Sequence, residues 1–149
     1  MTLDLRNRQR AIRLDVPWLR RFAQIALPEV LPHSADDAFA LSKLEAVEVA
    51  IVSDRTIAKV HQQFMNLPDP TDVITFHHGE IVISAETAQR RAPEFGHSVE
   101  VEIALYTVHG LLHLNGFEDA SAGGAARMRA LQHRLWRKCL ESLTTPVSK

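Results

Sequence analysis

The spacing of apolar positions changes several times along the chain, and each change marks an element. From Thr2 to Arg8, Leu3 and Leu5 alternate with Asp4, Arg6 and Arg8, which is the period of a half-exposed strand. Beyond Asp15-Val16-Pro17 the period becomes helical through Trp18, Leu19, Phe22, Ile25 and Ala26, with Asp15 suited to cap the helix and Pro17 tolerated in its first turn. Pro28 and Pro32 are expected to end that helix, before a loop from Ser34 to Asp37. Ala46 to Val52 is nearly all apolar and β-branched, as a central strand is. Ser53 or Asp54 then caps a helix carrying Ile57, Val60, His61 and Phe64, and Asn66 to Pro70 forms a proline-rich turn.

Asp72 to Phe76 and Glu80 to Ser84 read as two strands, and the short link His77-His78-Gly79 makes them an antiparallel hairpin. A helix spans Ala85 to Arg91, Pro93 to Gly96 interrupts, and a longer helix covers Val99 to Leu114. The last helix, about Ala122 to Leu143, places Met128, Leu131, Leu135, Trp136 and Leu140 on one side and Arg127, Arg129, Arg134, Arg137 and Lys138 largely on others. This order, with no composition break and no internal repeat, predicts one α+β domain over residues 1–149: helices packed on a small mixed four-stranded sheet.

The chemistry is concentrated in His109-Gly110-Leu111-Leu112-His113-Leu114-Asn115-Gly116-Phe117-Glu118-Asp119. Two histidines four residues apart on a helix share one side, with Cβ atoms about 5–6 Å apart, so both imidazoles reach one ion. Gly116 follows the last periodic residue, where glycine takes the left-handed turn that ends many helices, and the reversal returns Asp119 to the pair. Glu118 is the rival third ligand. Imidazole nitrogen with one carboxylate oxygen suits zinc, and three protein ligands leave a fourth position for a water acidified toward neutrality. The spacing is similar to the long zinc motif of metzincin proteases, but their general-base glutamate corresponds here to Gly110, which argues against proteolysis.

Composition narrows the partners. A formal net charge of −1 gives no global field toward nucleic acid or an anionic membrane, so a polyanion must be met by a local patch. The single cysteine, Cys139, excludes an internal disulfide, suits a reducing cytoplasm and is read as packing. No apolar run is long enough to cross a membrane and the N-terminus lacks a secretory pattern, so a cytoplasmic protein is expected. The cationic concentrations are Arg6, Arg8, Arg10 and Arg13 near the first strand and the arginines of the last helix, both able to track a phosphate backbone.

Three segments together resemble the YbeY family of bacterial ribosomal-RNA maturation endoribonucleases. His109 through Phe117 matches that family's His-Gly-x-Leu-His-Leu-x-Gly-Tyr/Phe pattern. Pro70-Thr71-Asp72-Val73-Ile74-Thr75-Phe76 is close to its Pro-Thr-Asp-Val-Leu-Ser-Phe, and Gly79-Glu80-Ile81-Val82-Ile83-Ser84 to its Gly-Asp-Ile-x-Ile-Ser; Met128 stands where its last helix often has methionine. The resemblance implies an α+β fold, one zinc ion in a cleft, and zinc-dependent, single-strand-specific RNA cleavage serving small-subunit ribosomal-RNA maturation and ribosome quality control. Its implied partners are ribosomal RNA, the small ribosomal subunit and a ribosome-assembly GTPase, with neither membrane nor DNA. Two positions depart from it. The usual third histidine ligand is Asp119, which lowers the site's charge by one and makes its water less acidic, and the characteristic arginine six residues before the Thr-Asp-Val block is Met65. Arg55, Arg90 and Arg91 are candidates to replace that arginine near a scissile phosphate.

Other residues carry weaker expectations. Glu80 and Ser84 share one face of their strand as candidate catalytic groups, Glu80 as a general base in place of the glutamate that Gly110 lacks. Asp72 is a third catalytic candidate, against the alternative that it satisfies backbone donors after a turn. Glu102, two turns before His109, is either an acceptor for an imidazole or an exposed helix acid. His77 and His78 are read as solvent-exposed with one within reach of a substrate, and His33, His61, His97 and His133 as surface or packing residues. Beside the endoribonuclease stand two other readings: a ribosome-assembly factor with a structural zinc and little or no catalysis, suggested by Met65, and a metallohydrolase of another substrate, disfavoured by Gly110.

Overall fold

The computed structural model describes residues 1–36, 40–66 and 71–147, so the expected proline-rich turn lies outside the described residues beyond Asn66, as does Asp37 at the end of the first loop. The elements are β1 (Thr2–Asn7), α1 (Val16–Val30), β2 (Ala46–Val52), α2 (Asp54–Met65), β3 (Val73–Phe76), β4 (Glu80–Ser84), α3 (Ala85–Arg91), α4 (Val99–Leu114) and α5 (Ala122–Glu141). Short 3-10 turns cover Leu41–Lys43 and Ala92–Phe95. The sheet order is β1-β2-β4-β3, with β1 and β4 parallel to β2 and the hairpin strand β3 antiparallel to β4. The result is the α+β fold with a four-stranded mixed sheet that the pattern predicts.

Alternation along the strands divides the apolar side chains between the sheet's two faces. Leu3, Leu5, Val47, Val49, Ile51, Ile81 and Ile83 join the main core with residues of α1, α3, α4 and α5, whereas Ala50, Val52, Ile74 and Val82 form a smaller cluster with Ile57 of α2, against which Val60 and Phe76 pack. Cys139 is fully buried in the main core, and burial pushes its thiol up to about 11, which fits packing rather than chemistry. No helix among the described residues is long and apolar enough to cross a membrane.

Pro28 does not end α1, which continues to Val30. Its ring faces solvent, while Leu27 and Val30 are buried and the Leu31 amide still donates to the Leu27 carbonyl at 3.1 Å, so packing of the last turn outweighs the one hydrogen bond that proline removes. Asp15 caps α1 as expected, accepting from the Trp18 amide at 3.1 Å, and its own amide donates to the buried Glu100 of α4 at 2.9 Å.

Two contacts fix α4 in the core. At Gly110 a Cβ would lie 2.6 Å from Ile81 Cγ2 and 2.9 Å from Ile81 Cγ1, so the helix crosses β4 with nothing but hydrogen between them. At the other end Asn115, 1 % exposed, donates from Nδ2 to the carbonyls of Val30 at 3.0 Å and His33 at 2.7 Å and accepts from the Leu41 amide at 2.9 Å. It thereby ties the end of α1 and the following loop to the end of α4. Gly110→Ala pushes the helix off a β-branched side chain that cannot swing away, and urea denaturation is expected to show a loss of about 1–3 kcal/mol. Asn115→Ala leaves buried backbone groups unpaired and is expected to lose roughly 2–3 kcal/mol in the same measurement.

Candidate metal centre

Ser98 caps α4 by accepting from the Val101 amide at 3.3 Å, and the helix buries Ile103, Ala104, Val108, Leu111, Leu112 and Leu114. His109 and His113 occupy its remaining, half-buried side. The C-terminus closes with the Phe117 amide donating to the Leu112 carbonyl and the Gly116 amide to the His113 carbonyl, each at 3.1 Å, with Gly116 at φ +93°. That pairing is the Schellman turn, and it sends the chain back along the helix.

Asp119 returns as a result. The ligand atoms of His109, His113 and Asp119 all lie within 4.8 Å of one another, a set able to hold one metal ion. His113 Nε2 is 3.0 Å from His109 Nε2 and 3.6 Å from Asp119 Oδ2. Glu118 does not compete: its carboxylate accepts from the Ala120 amide at 2.7 Å and from the Ser121 amide and hydroxyl at 3.0 and 2.7 Å, at the start of α5.

The outer nitrogens decide the tautomers. His109 Nδ1 donates to Gln132 Oε1 at 2.7 Å and His113 Nδ1 donates to the Phe117 carbonyl at 3.0 Å. In neutral imidazoles so arranged both Nε2 atoms are left as acceptors, and they stand 3.0 Å apart, as two nitrogens directed at one cation would. Two imidazole nitrogens bound tetrahedrally to zinc, each at about 2.0–2.1 Å, would stand roughly 3.3 Å apart, so the donor set fits such an ion. Burial, and then the proximity of His109, hold the His113 pKa below the ordinary 6.5, which keeps its Nε2 free of a proton at neutral pH.

The triad opens into a cleft of about 990 Å³ walled by β3, α4, α5 and the Ala92–Phe95 turn. Arg91, Arg129 and Arg137 line it, as do Met65, Asp72 and His77. Asp72 Oδ1 accepts from the Val73 amide at 2.8 Å, the expected local bond, while Oδ2 lies 4.0 Å from Arg91. Tyr106 also lines the cleft; its buried hydroxyl has no hydrogen-bond partner among the described residues, and burial with the neighbouring Glu102 raises its pKa.

Glu80 and Ser84 are not part of this site. They do share a strand face, but it is the α2 face, because Ile81 and Ile83 between them point into the main core beneath α4. Glu80 stands 3.7 Å from His78, and fully buried Ser84 caps α3, accepting from the Thr87 amide at 3.2 Å and donating to Asp54 at 2.6 Å. Arg90 is held 2.6 Å from the same Asp54. Burial acts to raise the Asp54 pKa, but hydrogen bonds from Arg90, Ser84 and Thr87 outweigh it and hold it below 3.8. Arg55 lines a separate depression on α2, so of the three candidate arginines only Arg91 reaches the cleft. Arg6 and Arg8 pair with Asp4 and Glu48 at 2.8 and 3.1 Å, away from it.

The structure gives several residues a place other than the one the pattern suggested. Glu102 is buried and does accept an imidazole, but that of His97, at 2.5 Å from Nε2, and not that of His109. His97, Gln132 and His133 all line the cleft. Gln132 had a signal in the sequence, being a polar residue one position beyond Leu131 on the apolar side of α5; His97 had none.

The profile of the family described as endoribonuclease YbeY matches residues 4–140. The chain belongs to the YbeY family. A Thermobifida fusca endoribonuclease YbeY is 31% identical over 161 aligned positions that span 95% of this chain and 97% of that one. One from Heliobacterium modesticaldum is 35% identical over 117 positions, 63% of this chain and 70% of its own. The solution structure of a Thermotoga maritima protein covers 95% of this chain and 93% of that one with a TM-score of 0.58 at 22% identity, a likeness of fold. In this YbeY-family chain the three segments that carry the resemblance are β3, β4 and the end of α4.

If Gln132 orients His109, Gln132→Leu is expected to weaken zinc binding about 10–100-fold in a competition titration with a chromophoric chelator, and Asp119→Ala to weaken it at least as much.

Proposed function

We propose that this protein is a zinc-dependent, single-strand-specific endoribonuclease that acts in the cytoplasm on small-subunit ribosomal RNA, in its maturation and in ribosome quality control. The observation that carries the reading is the convergence of His109, His113 and Asp119 in a cleft that Arg91, Arg129 and Arg137 also enter. Membership of the YbeY family supports RNA as the substrate class. The small ribosomal subunit and a ribosome-assembly GTPase are the partners that go with it.

Zinc held by the triad would supply Lewis-acid polarisation of a phosphate oxygen and a water acidified toward neutrality. The chain's own residues do the rest. Gln132 and the Phe117 carbonyl keep both imidazoles in the ligating tautomer. Arg91, steadied by Asp72 at 4.0 Å, takes the place of the arginine that Met65 replaces and offsets the negative charge that grows on the phosphoryl oxygens. Arg129 and Arg137 bring the strand to the cleft, which overcomes the protein's slightly negative overall charge at the one place where a polyanion must approach.

One observation favours a second reading, a ribosome-assembly factor with a structural zinc and little or no catalysis: Met65 lies in the cleft wall, 46 % exposed. The two readings separate in one experiment. Metal-loaded protein is expected to cut a single-stranded RNA, and chelator or His113→Ala to abolish the cutting; equal cleavage in all three samples rules the nuclease mechanism out. Arg91→Ala is expected to reduce kcat/KM about a hundredfold. The assembly-factor reading predicts no turnover in the loaded protein, a lower Tm after chelation, and cleavage gained by Met65→Arg.

A further inference from the structure

We propose that Phe95 is a stacking platform for an unpaired RNA base, and that it makes the cleft prefer a single strand. The proposal rests on the RNA reading above and assigns the residue that selects the form of the substrate.

Phe95 lies in the cleft wall at the end of the Ala92–Phe95 turn and is 66 % exposed. Its ring is mounted, not loose. One face stacks on His97, with centroids 5.9 Å apart and planes 16° from parallel. His97 is in turn held by the buried Glu102 carboxylate at 2.5 Å and by the edge-on ring of Trp136 at 5.6 Å. Trp136 is itself fixed, its Nε1 donating to the Val101 carbonyl at 3.1 Å. A chain of four oriented groups thus supports an aromatic ring that is two-thirds open to solvent among the described residues.

Such a surface matches a nucleobase. Every base has a π-face, so a fixed aromatic ring takes any of them, but only when the base is turned out of a duplex. The cleft's arginines and the metal triad cannot make that distinction, because they address phosphate, which paired and unpaired strands both carry; of the aromatic rings that line the cleft, Phe95 is far more exposed than Tyr106 or Trp136. The position is also right for a neighbouring nucleotide. Gln132, which touches His109, and Trp136, which touches His97, are one turn apart on α5, a rise of about 6 Å. Arg137, next to Trp136 in α5, also lines the cleft and supplies a charge for the backbone of that nucleotide.

The test is binding of the zinc-loaded protein to fluorescein-labelled single-stranded oligoribonucleotides, read by anisotropy before cleavage products appear, with one oligonucleotide intact and a series carrying a single abasic position. Phe95→Ala is expected to raise Kd for the intact strand about tenfold. At one abasic position the wild type should lose the same factor while Phe95→Ala loses nothing further, and Phe95→Tyr should bind like wild type where Phe95→Leu does not. A Phe95→Ala variant that binds the intact strand as tightly as wild type overturns the proposal, and so does Phe95→Leu matching Phe95→Tyr, which would make the contact merely apolar. Cleavage by the wild type is scored separately. The expected binding pattern without any cleavage leaves the platform standing and sinks the nuclease reading; normal cleavage with no effect of Phe95→Ala on binding does the reverse.

Discussion

The contact between Gly110 and Ile81 sets the position of everything that matters for chemistry. Helix α4 is apolar on nearly every side and lies between the sheet, α1, α3 and α5, so its height above β4 governs how the whole main core closes. With glycine at the crossing, the backbone comes down onto a β-branched side chain that leaves no room for a Cβ. The residue on one side of that glycine is His109, and His113 lies one turn further on. The backbone that carries both imidazoles cannot shift without lifting the helix out of the core, and Gln132 and the Phe117 carbonyl then hold the rings themselves. The same crossing explains why no glutamate follows the first histidine: that position faces the sheet and not the cleft.

The remaining ligand depends on how the helix ends. Asn115 anchors the last turn of α4 by satisfying the buried backbone of two other segments, and Gly116 then allows the reversal. Glu118 fastens the returning chain to the first turn of α5, which leaves Asp119 beside the imidazoles instead of itself. Helix α5 completes the arrangement, since Met128, Leu135 and Cys139 bury one side of it while Gln132 reaches His109. Structural residues and site residues therefore alternate along the same stretches, and each ligand is oriented by a group whose own place is fixed by burial.

Within the cleft the groups divide by chemistry. The triad presents lone pairs and negative charge, and the three arginines present positive charge. Phe95 stacked on His97, with Trp136 edge-on behind, presents an aromatic surface instead. Asp72 belongs to this scheme as a partner of Arg91, which reconciles its local backbone bond with its place in the wall of the cleft.

Local periodicity and capping were enough to locate β2, β4, α3 and α4 to the residue, and the His-x3-His spacing with a terminal glycine was enough to bring two imidazoles and a carboxylate into range of one ion. These are short-range facts, since a helix repeats every few residues and a glycine turn acts on its neighbours. What lay beyond them needed the tertiary structure. Alternation placed Glu80 and Ser84 on one face of β4, but which face looks toward α4 depends on how the sheet packs against helices far along the chain. Pro28 looked like a helix end because its missing amide is a local property, whereas the burial of Leu27 and Val30 that carries the helix past it is not. His97 and Phe95 come from a turn between helices with no period of their own; only the packing of that turn against α4 and α5 gives them a place in the cleft, because a loop's side chains are directed by what surrounds it.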